Sequence, residues 1–316
     1  MEKFITVHDV PDLTKLIASA QAMKANPLAN NHLGQGKTLV LLFFNPSLRT
    51  RLSTQRAGFN LGMQVINMNA DQGWKLEFED QVVMDGDKAE HIREAAAVVS
   101  QYADIIGIRT FPGLIDREQD YADRIIHKFI EYASVPIISL ESAIRHPLQS
   151  LADLVTIEAL KKQARPKIVL SWAPHPRSLP QAVANSFAEW VQAAGFDLTI
   201  THPPGYELAP EFAGKATIEY DQEKAFAEAD FVYAKNWSSY QQYGQILPVE
   251  GNWMITAKKM ALTNQGYFMH CLPVRRNVVV TDEVLDSDQS IVIEQASNRT
   301  YAAQAVIAEL LKQIEK

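Results

Sequence analysis

A single cysteine, Cys271, stands in 316 residues, which rules out an intramolecular disulfide and argues against a cysteine-based zinc site. No uninterrupted apolar run reaches the ~18 residues that a membrane-spanning helix needs, so no membrane association is expected. The first ten residues show no basic segment followed by an apolar one, so no secretory leader is expected there. Dense lysine or arginine blocks are missing and the formal net charge is −7, which argues against a nucleic-acid partner. A local positive pocket for a small anion is still compatible with an acidic chain. HExxH, GxGxxG and Walker-type signatures are missing too, and neither a metal nor another cofactor is expected. What these absences leave is a cytoplasmic enzyme or binding protein for small molecules.

What is present is an alternation of strands and helices. The run KTLVLLFF at 37–44 predicts a buried strand, followed by the breaker-rich NPSLRTR and a helix over 51–61 that stops at Gly62. A strand over 64–68, a helix over 91–102, a strand over 104–110, a helix over 121–132 and a strand from Val135 follow. After HPLQS the pattern restarts with a helix over 150–163, a strand from Lys167, a helix over 181–194 and a strand from Asp197. An acidic helix near 221–229, the strands DFVYAKNW and YFMHCLP, a short strand SIVIEQA at 290–296 and a last helix from Asn298 complete it. Such alternation implies α/β domains, each with a parallel sheet covered by helices. Two domains are expected, 1–145 and 146–297, with the last helix (about 298–316) joining the first.

Three constellations carry chemistry. Ser47, Leu48, Arg49, Thr50 and Arg51 lie between a buried strand and a helix, where unpaired backbone amides, two hydroxyls and a guanidinium suit a phosphate. A helix cap at Ser47 with solvated arginines explains the same residues equally well. Arg145, His146, Pro147, Leu148 and Gln149 follow at the junction of the halves, and a His and a Gln three apart on one turn can donate to one oxygen. A capping His with a solvated Gln is the plainer reading of that pair. His270, Cys271, Leu272 and Pro273 end an apolar strand with Arg275 and Arg276 just beyond. Neighbours on a strand point to opposite faces, so His270 and Cys271 are poorly placed as base and nucleophile; a packed thiol or a carbonyl-rich turn that holds an amine remains open. Arg109 at a strand's carboxyl end, His175 in the proline-rich loop WAPHPRSLPQA, Lys235 after FVYA, Arg299 on the last helix and Trp74, an aromatic that reads as exposed, are further single candidates.

Together these residues resemble the aspartate/ornithine carbamoyltransferase family. SLRTR, Arg109, HPLQ and HCLP stand in the family's order across nearly the whole chain, and FMHCLPVRRN, WAPHPR and MDGD resemble its N-acylornithine branch. The Ser-Met-Gly motif of enzymes for free ornithine has no counterpart here. The resemblance implies two carbamoyltransferase-type α/β domains, a knotted chain in the second, no cofactor, and homotrimers with shared active sites. It implies that Ser47, Leu48, Arg49 and Thr50 hold the phosphate of carbamoyl phosphate, with Trp74 reaching in from a neighbouring subunit. Arg109, His146, Gln149 and Arg299 would hold the phosphate and polarise the carbamoyl oxygen, and the carbonyls of Cys271 and Leu272 would hold the carbamoyl NH2. Glu141, His175, Lys235 and Arg275 are the implied contacts of an N-acylornithine.

The acyl group is read at two places. After MDGDK the acetyl-specific pattern has Glu and the succinyl-specific one Pro, and Ala89 stands here; where the acetyl pattern has Lys, Val279 stands here. Ala89 and Val279 are expected to form an uncharged opening for a succinyl chain, with Arg275 and Lys235 facing its terminal carboxylate. An acetyl substrate, or a catalytically silent anion-binding relative, are the alternatives.

Overall fold

A computed structural model describes residues 1–70 and 74–314. The chain divides into two compact units: Met1–Pro112 with Glu118–Leu148 and Arg299–Lys316, and Gly113–Arg117 with Gln149–Asn298. Both divisions near the second unit's ends fall inside helices, Pro147–Leu160 and Val292–Ile314.

In chain order the strands are β1 (Thr38–Phe43), β2 (Gln64–Asn69), β3 (Leu76–Glu77), β4 (Glu90–His91), β5 (Ile105–Arg109) and β6 (Ile137–Glu141). They continue with β7 (Lys167–Trp172), β8 (Asp197–Thr201), β9 (Thr217–Glu219), β10 (Phe231–Lys235) and β11 (Tyr267–Met269). The first unit holds a parallel sheet in the order β2-β1-β5-β6. Its inner strands β1 and β5 are buried nearly throughout, as TLVLLF and IIGIR require of strands covered on both faces. The edge strand β2, QVINMN, is exposed or half-exposed at every position. One face carries Val40, Leu42, Ile106 and Ile108 against Ile92, Ala96, Ile126 and Phe129 from two helices. The second unit holds the order β11-β10-β7-β8-β9, again all parallel, with Val169, Val232 and Phe268 in its apolar cluster.

Two expectations about elements are corrected. SIVIEQA is not a strand: only Ser290 makes an isolated bridge, to Phe268, and Val292 already begins the last helix. Its β-branched residues misled the local reading, because Gln295 and Asn298 must be carried on a helix to reach buried partners at Asp153 and Thr156. The helix expected over 121–132 is two, Arg117–Tyr121 and Arg124–Tyr132. Asp123 breaks it in the left-handed region (φ 46°), where its carboxylate accepts the Ala143 N–H at 3.2 Å. Strand β9, which the sequence pattern did not reveal, is a three-residue edge.

The expected stop at Gly62 is one place where glycine is required. Its φ is +85°, and a Cβ there would lie 2.1 Å from the Asn31 carbonyl oxygen. Gly62→Ala is expected to destabilise the protein by about 2 kcal/mol, read from the urea midpoint; an unchanged midpoint would contradict this.

Candidate functional site

In open parallel sheets, ligands bind beyond the carboxyl ends of the strands. Two such ends, Arg109 of β5 and Glu141 of β6, are brought opposite each other by a register shift between Ile108 and Arg109. Arg109 Nη1 donates to Glu141 Oε2 and approaches the Thr50 hydroxyl at 3.4 Å. Glu141 Oε2 also lies 3.4 Å from His146 Nε2. From the last helix, Arg299 Nη2 donates to Thr50 Oγ1 at 2.7 Å. Thr50, Arg109, Glu141, His146 and Arg299 are all buried. Arg109 meets the Glu141 carboxylate and Arg299 meets the Thr50 hydroxyl beside it, so two guanidiniums are held where charge is poorly solvated. Among the described residues Arg109 Nε and Arg49 Nε are buried donors without a hydrogen-bond partner. A dianion is the ligand class that such a group can take up.

The SLRTR segment supplies Thr50 from the first turn of the helix Arg49–Asn60. Ser47 Oγ accepts the Thr50 N–H at 3.3 Å from the position before the N-cap residue, Leu48, so Ser47 supports the helix start without being its cap. Leu48 is exposed. Arg51 turns away, lying over the Phe43 ring and donating to Asn69 Oδ1. Trp74 is not the exposed aromatic expected: it is half-buried against the first unit's core, and its Nε1 donates to Glu90 Oε2 at 2.7 Å. Ala89 is exposed, with its N–H donating to the Lys75 carbonyl.

In the second unit Gln149 is fully buried, and its Nε2 donates to Asp153 Oδ1 at 2.8 Å. One of its two amide N–H donors is thereby used, and Oε1, an acceptor, has no partner among the described residues. Strand β11 ends at Met269, and the turn after it is fixed by two bonds: His270 N–H to Gln295 Oε1 and Leu272 N–H to His270 Nδ1. With Nδ1 so occupied, His270 does not act as base to Cys271, which is buried. Leu272 takes the left-handed region (φ 57°), a conformation that costs energy and turns the local carbonyls.

A second cationic group lies around His175. Arg275 Nε donates to His175 Nε2 at 3.0 Å, while His175 Nδ1 is 2.9 Å from the Arg177 carbonyl. Desolvation first, then the nearby Arg275, Lys235 and Arg177 charges, hold the imidazole below the usual histidine range, so it is a neutral acceptor at pH 7. Val279 is not part of an opening: it is buried in the second unit's apolar cluster with Ile255 and Val280. Among the described residues no group of three or more His, Cys, Asp or Glu side chains could hold a metal ion.

Residues 2–159 match the model of the aspartate/ornithine carbamoyltransferase carbamoyl-P binding domain, and residues 180–310 match that of the Asp/Orn binding domain. The chain belongs to the aspartate/ornithine carbamoyltransferase family. Among members of this family it is 54% identical to the N-succinylornithine carbamoyltransferase of Bacteroides thetaiotaomicron, over all of both chains. It is 37% identical to the N-acetylornithine carbamoyltransferase of Xanthomonas axonopodis pv. citri, over 96% of this chain and 94% of that one. Its fold is similar to that of an N-acetyl-L-ornithine transcarbamylase mutant, with valine in place of a glutamate, complexed with carbamyl phosphate and N-succinyl-L-norvaline. That similarity has a TM-score of 0.91 at 36% identity, over 98% of this chain and 100% of the other.

Sequence reasoning missed Asp153 and Gln295, and treated Glu141 only as a ligand contact. The signal for Asp153 was present, four residues after Gln149 on one helix face; nothing local pointed to Gln295. Arg109→Met is expected to lower stability by about 3–5 kcal/mol, because it leaves the Glu141 charge buried and unpaired. Adding Glu141→Met should recover most of that in urea unfolding; an equal or larger loss in the double variant would contradict the pairing.

Proposed function

We propose that the chain transfers the carbamoyl group of carbamoyl phosphate to the δ-amine of N-succinylornithine, giving N-succinylcitrulline and phosphate in arginine biosynthesis. The observation that carries the reading is the buried group in which Arg109 pairs with Glu141 beside His146, while the Thr50 hydroxyl meets both Arg109 and Arg299. The amides and side chains of Ser47, Leu48, Arg49 and Thr50, with Arg109 and Arg299, would bind the phosphate. Trp74 of a neighbouring copy would complete this site in a homotrimer, and the enzyme would work in the cytoplasm.

In the reaction the neutral δ-amine attacks the carbamoyl carbon and a tetrahedral oxyanion forms, which Arg109 and His146 stabilise by N–H donation. The C–O bond to phosphate then breaks, the leaving phosphate takes the electron pair, and one of its oxygens accepts the amine proton. Gln149 Oε1 and the carbonyls of Cys271 and Leu272 accept from the carbamoyl NH2, so the group cannot rotate out of line with the amine. Glu141, His175, Lys235 and Arg275 would contact the acylornithine, and the cationic set around His175 suits the succinyl carboxylate.

The choice of succinyl rests on Ala89 and on similarity. Ala89 carries no charge to repel a second carboxylate. The similar transcarbamylase complexed with N-succinyl-L-norvaline is likewise one from which a glutamate has been removed. Val279, buried in the core, lends no support as an opening.

Purified protein given carbamoyl phosphate with ornithine, N-acetylornithine or N-succinylornithine is expected to form citrulline derivative from the succinyl compound at least about tenfold faster than from the others, a difference of about 1.4 kcal/mol. Preference for the acetyl compound would overturn the acyl assignment and leave carbamoyl transfer standing. Absence of turnover with all three would favour a silent anion-binding relative.

A further inference from the structure

Asp153 is fully buried in the second unit, one turn after Gln149 on the helix Pro147–Leu160. Its Oδ1 receives two amide donors, Nε2 of Gln149 at 2.8 Å and Nε2 of Gln295 at 2.7 Å. A carboxylate oxygen only accepts, so both amides must turn nitrogen toward it. At Gln295 the other end agrees, since Oε1 accepts the His270 backbone N–H at 3.0 Å. At Gln149 the consequence is that Oε1, buried and without a partner among the described residues, is presented as an acceptor. The bonds run on from Gln295 to His270 and from Leu272 N–H to His270 Nδ1, so one carboxylate orients both Gln149 and the turn after β11. Tyr233, fully buried, lies close enough that the Asp153 charge and the Cys271 thiol both act on its hydroxyl.

A neutral residue would fill this place without the cost of burying a carboxylate. What only an acceptor-only group provides is a fixed polarity for two amides at once. We propose, resting on the carbamoyl-transfer reading above, that Asp153 is a positioning residue for the reaction. It fixes Gln149 as a hydrogen-bond acceptor for the carbamoyl NH2, and through Gln295 it holds the His270–Leu272 backbone whose carbonyls serve the same NH2.

The test is an exchange of polarity between positions 149 and 153, with kcat, both KM values and Tm measured on the full chain. Gln149→Glu alone sets two carboxylates against each other and should lower kcat about 100-fold. Adding Asp153→Asn lets the new amide donate to the carboxylate at 149, at the loss of the bond from Gln295, because both contacts fall on the one atom Oδ1. The double variant should recover at least about tenfold in kcat over Gln149→Glu, with KM for N-succinylornithine within about threefold of wild type. A role confined to folding would show in Tm and would not produce recovery of kcat by a second substitution. Absence of recovery in the double variant would overturn the proposal, as would a folded Asp153→Leu variant with wild-type kcat. If Asp153→Leu does not fold, the polarity exchange decides alone. Wild-type protein that does not turn over carbamoyl phosphate would overturn the functional reading and this assignment together.

Discussion

The first unit depends on how the Arg109 guanidinium is kept in a place with little water. Glu141 balances it, and the register slip of β5 against β6 at that residue sets the two opposite each other. An uninterrupted ladder would pair Arg109 with a different neighbour. A buried ion pair of this kind contributes little net stability, but removing either partner is costly, so the two positions are locked together. Thr50 then couples the pair to Arg299 on the last helix, which ties the SLRTR loop, two strand ends and a distant helix into one charged group. Among the described residues Arg109 Nε and Arg49 Nε stay buried without a hydrogen-bond partner, which suits an anion.

The second unit works by polarity and backbone direction more than by net charge. The amides of Gln149 and Gln295 meet the Asp153 carboxylate in one permitted orientation, and the bonds run on to the turn where Leu272 adopts a left-handed conformation. Farther along, His175 stays neutral because burial and three neighbouring cations oppose its protonation. Only in that state can its Nε2 accept from Arg275 and orient that guanidinium. Protonation would exchange this bond for a repulsion, so the arrangement weakens as pH falls through the lowered histidine range.

Much of this was legible in the sequence where residues act locally. KTLVLLFF, DIIGIRT and KIVLSW could only be buried strands, and the SLRTR, HPLQ and HCLP segments marked the chemistry by residue type and order. What was not legible depends on partners far along the chain. SIVIEQA has strand-like composition, yet Gln295 and Asn298 are bound to residues 142 positions earlier, and those bonds select the helix. Asp123 splits a helix for a bond to Ala143. The polarity of Gln149 cannot be read without Asp153, and Val279 reads as an open surface position until the core around it is seen.

Calorimetric titration of the wild-type chain with carbamoyl phosphate, and in parallel with inorganic phosphate, tests the charged group most directly. Saturable one-site binding of both, tighter for carbamoyl phosphate because the proposed acceptors at Gln149, Cys271 and Leu272 would take its NH2, is the predicted result. Folded protein that binds neither anion would contradict the account.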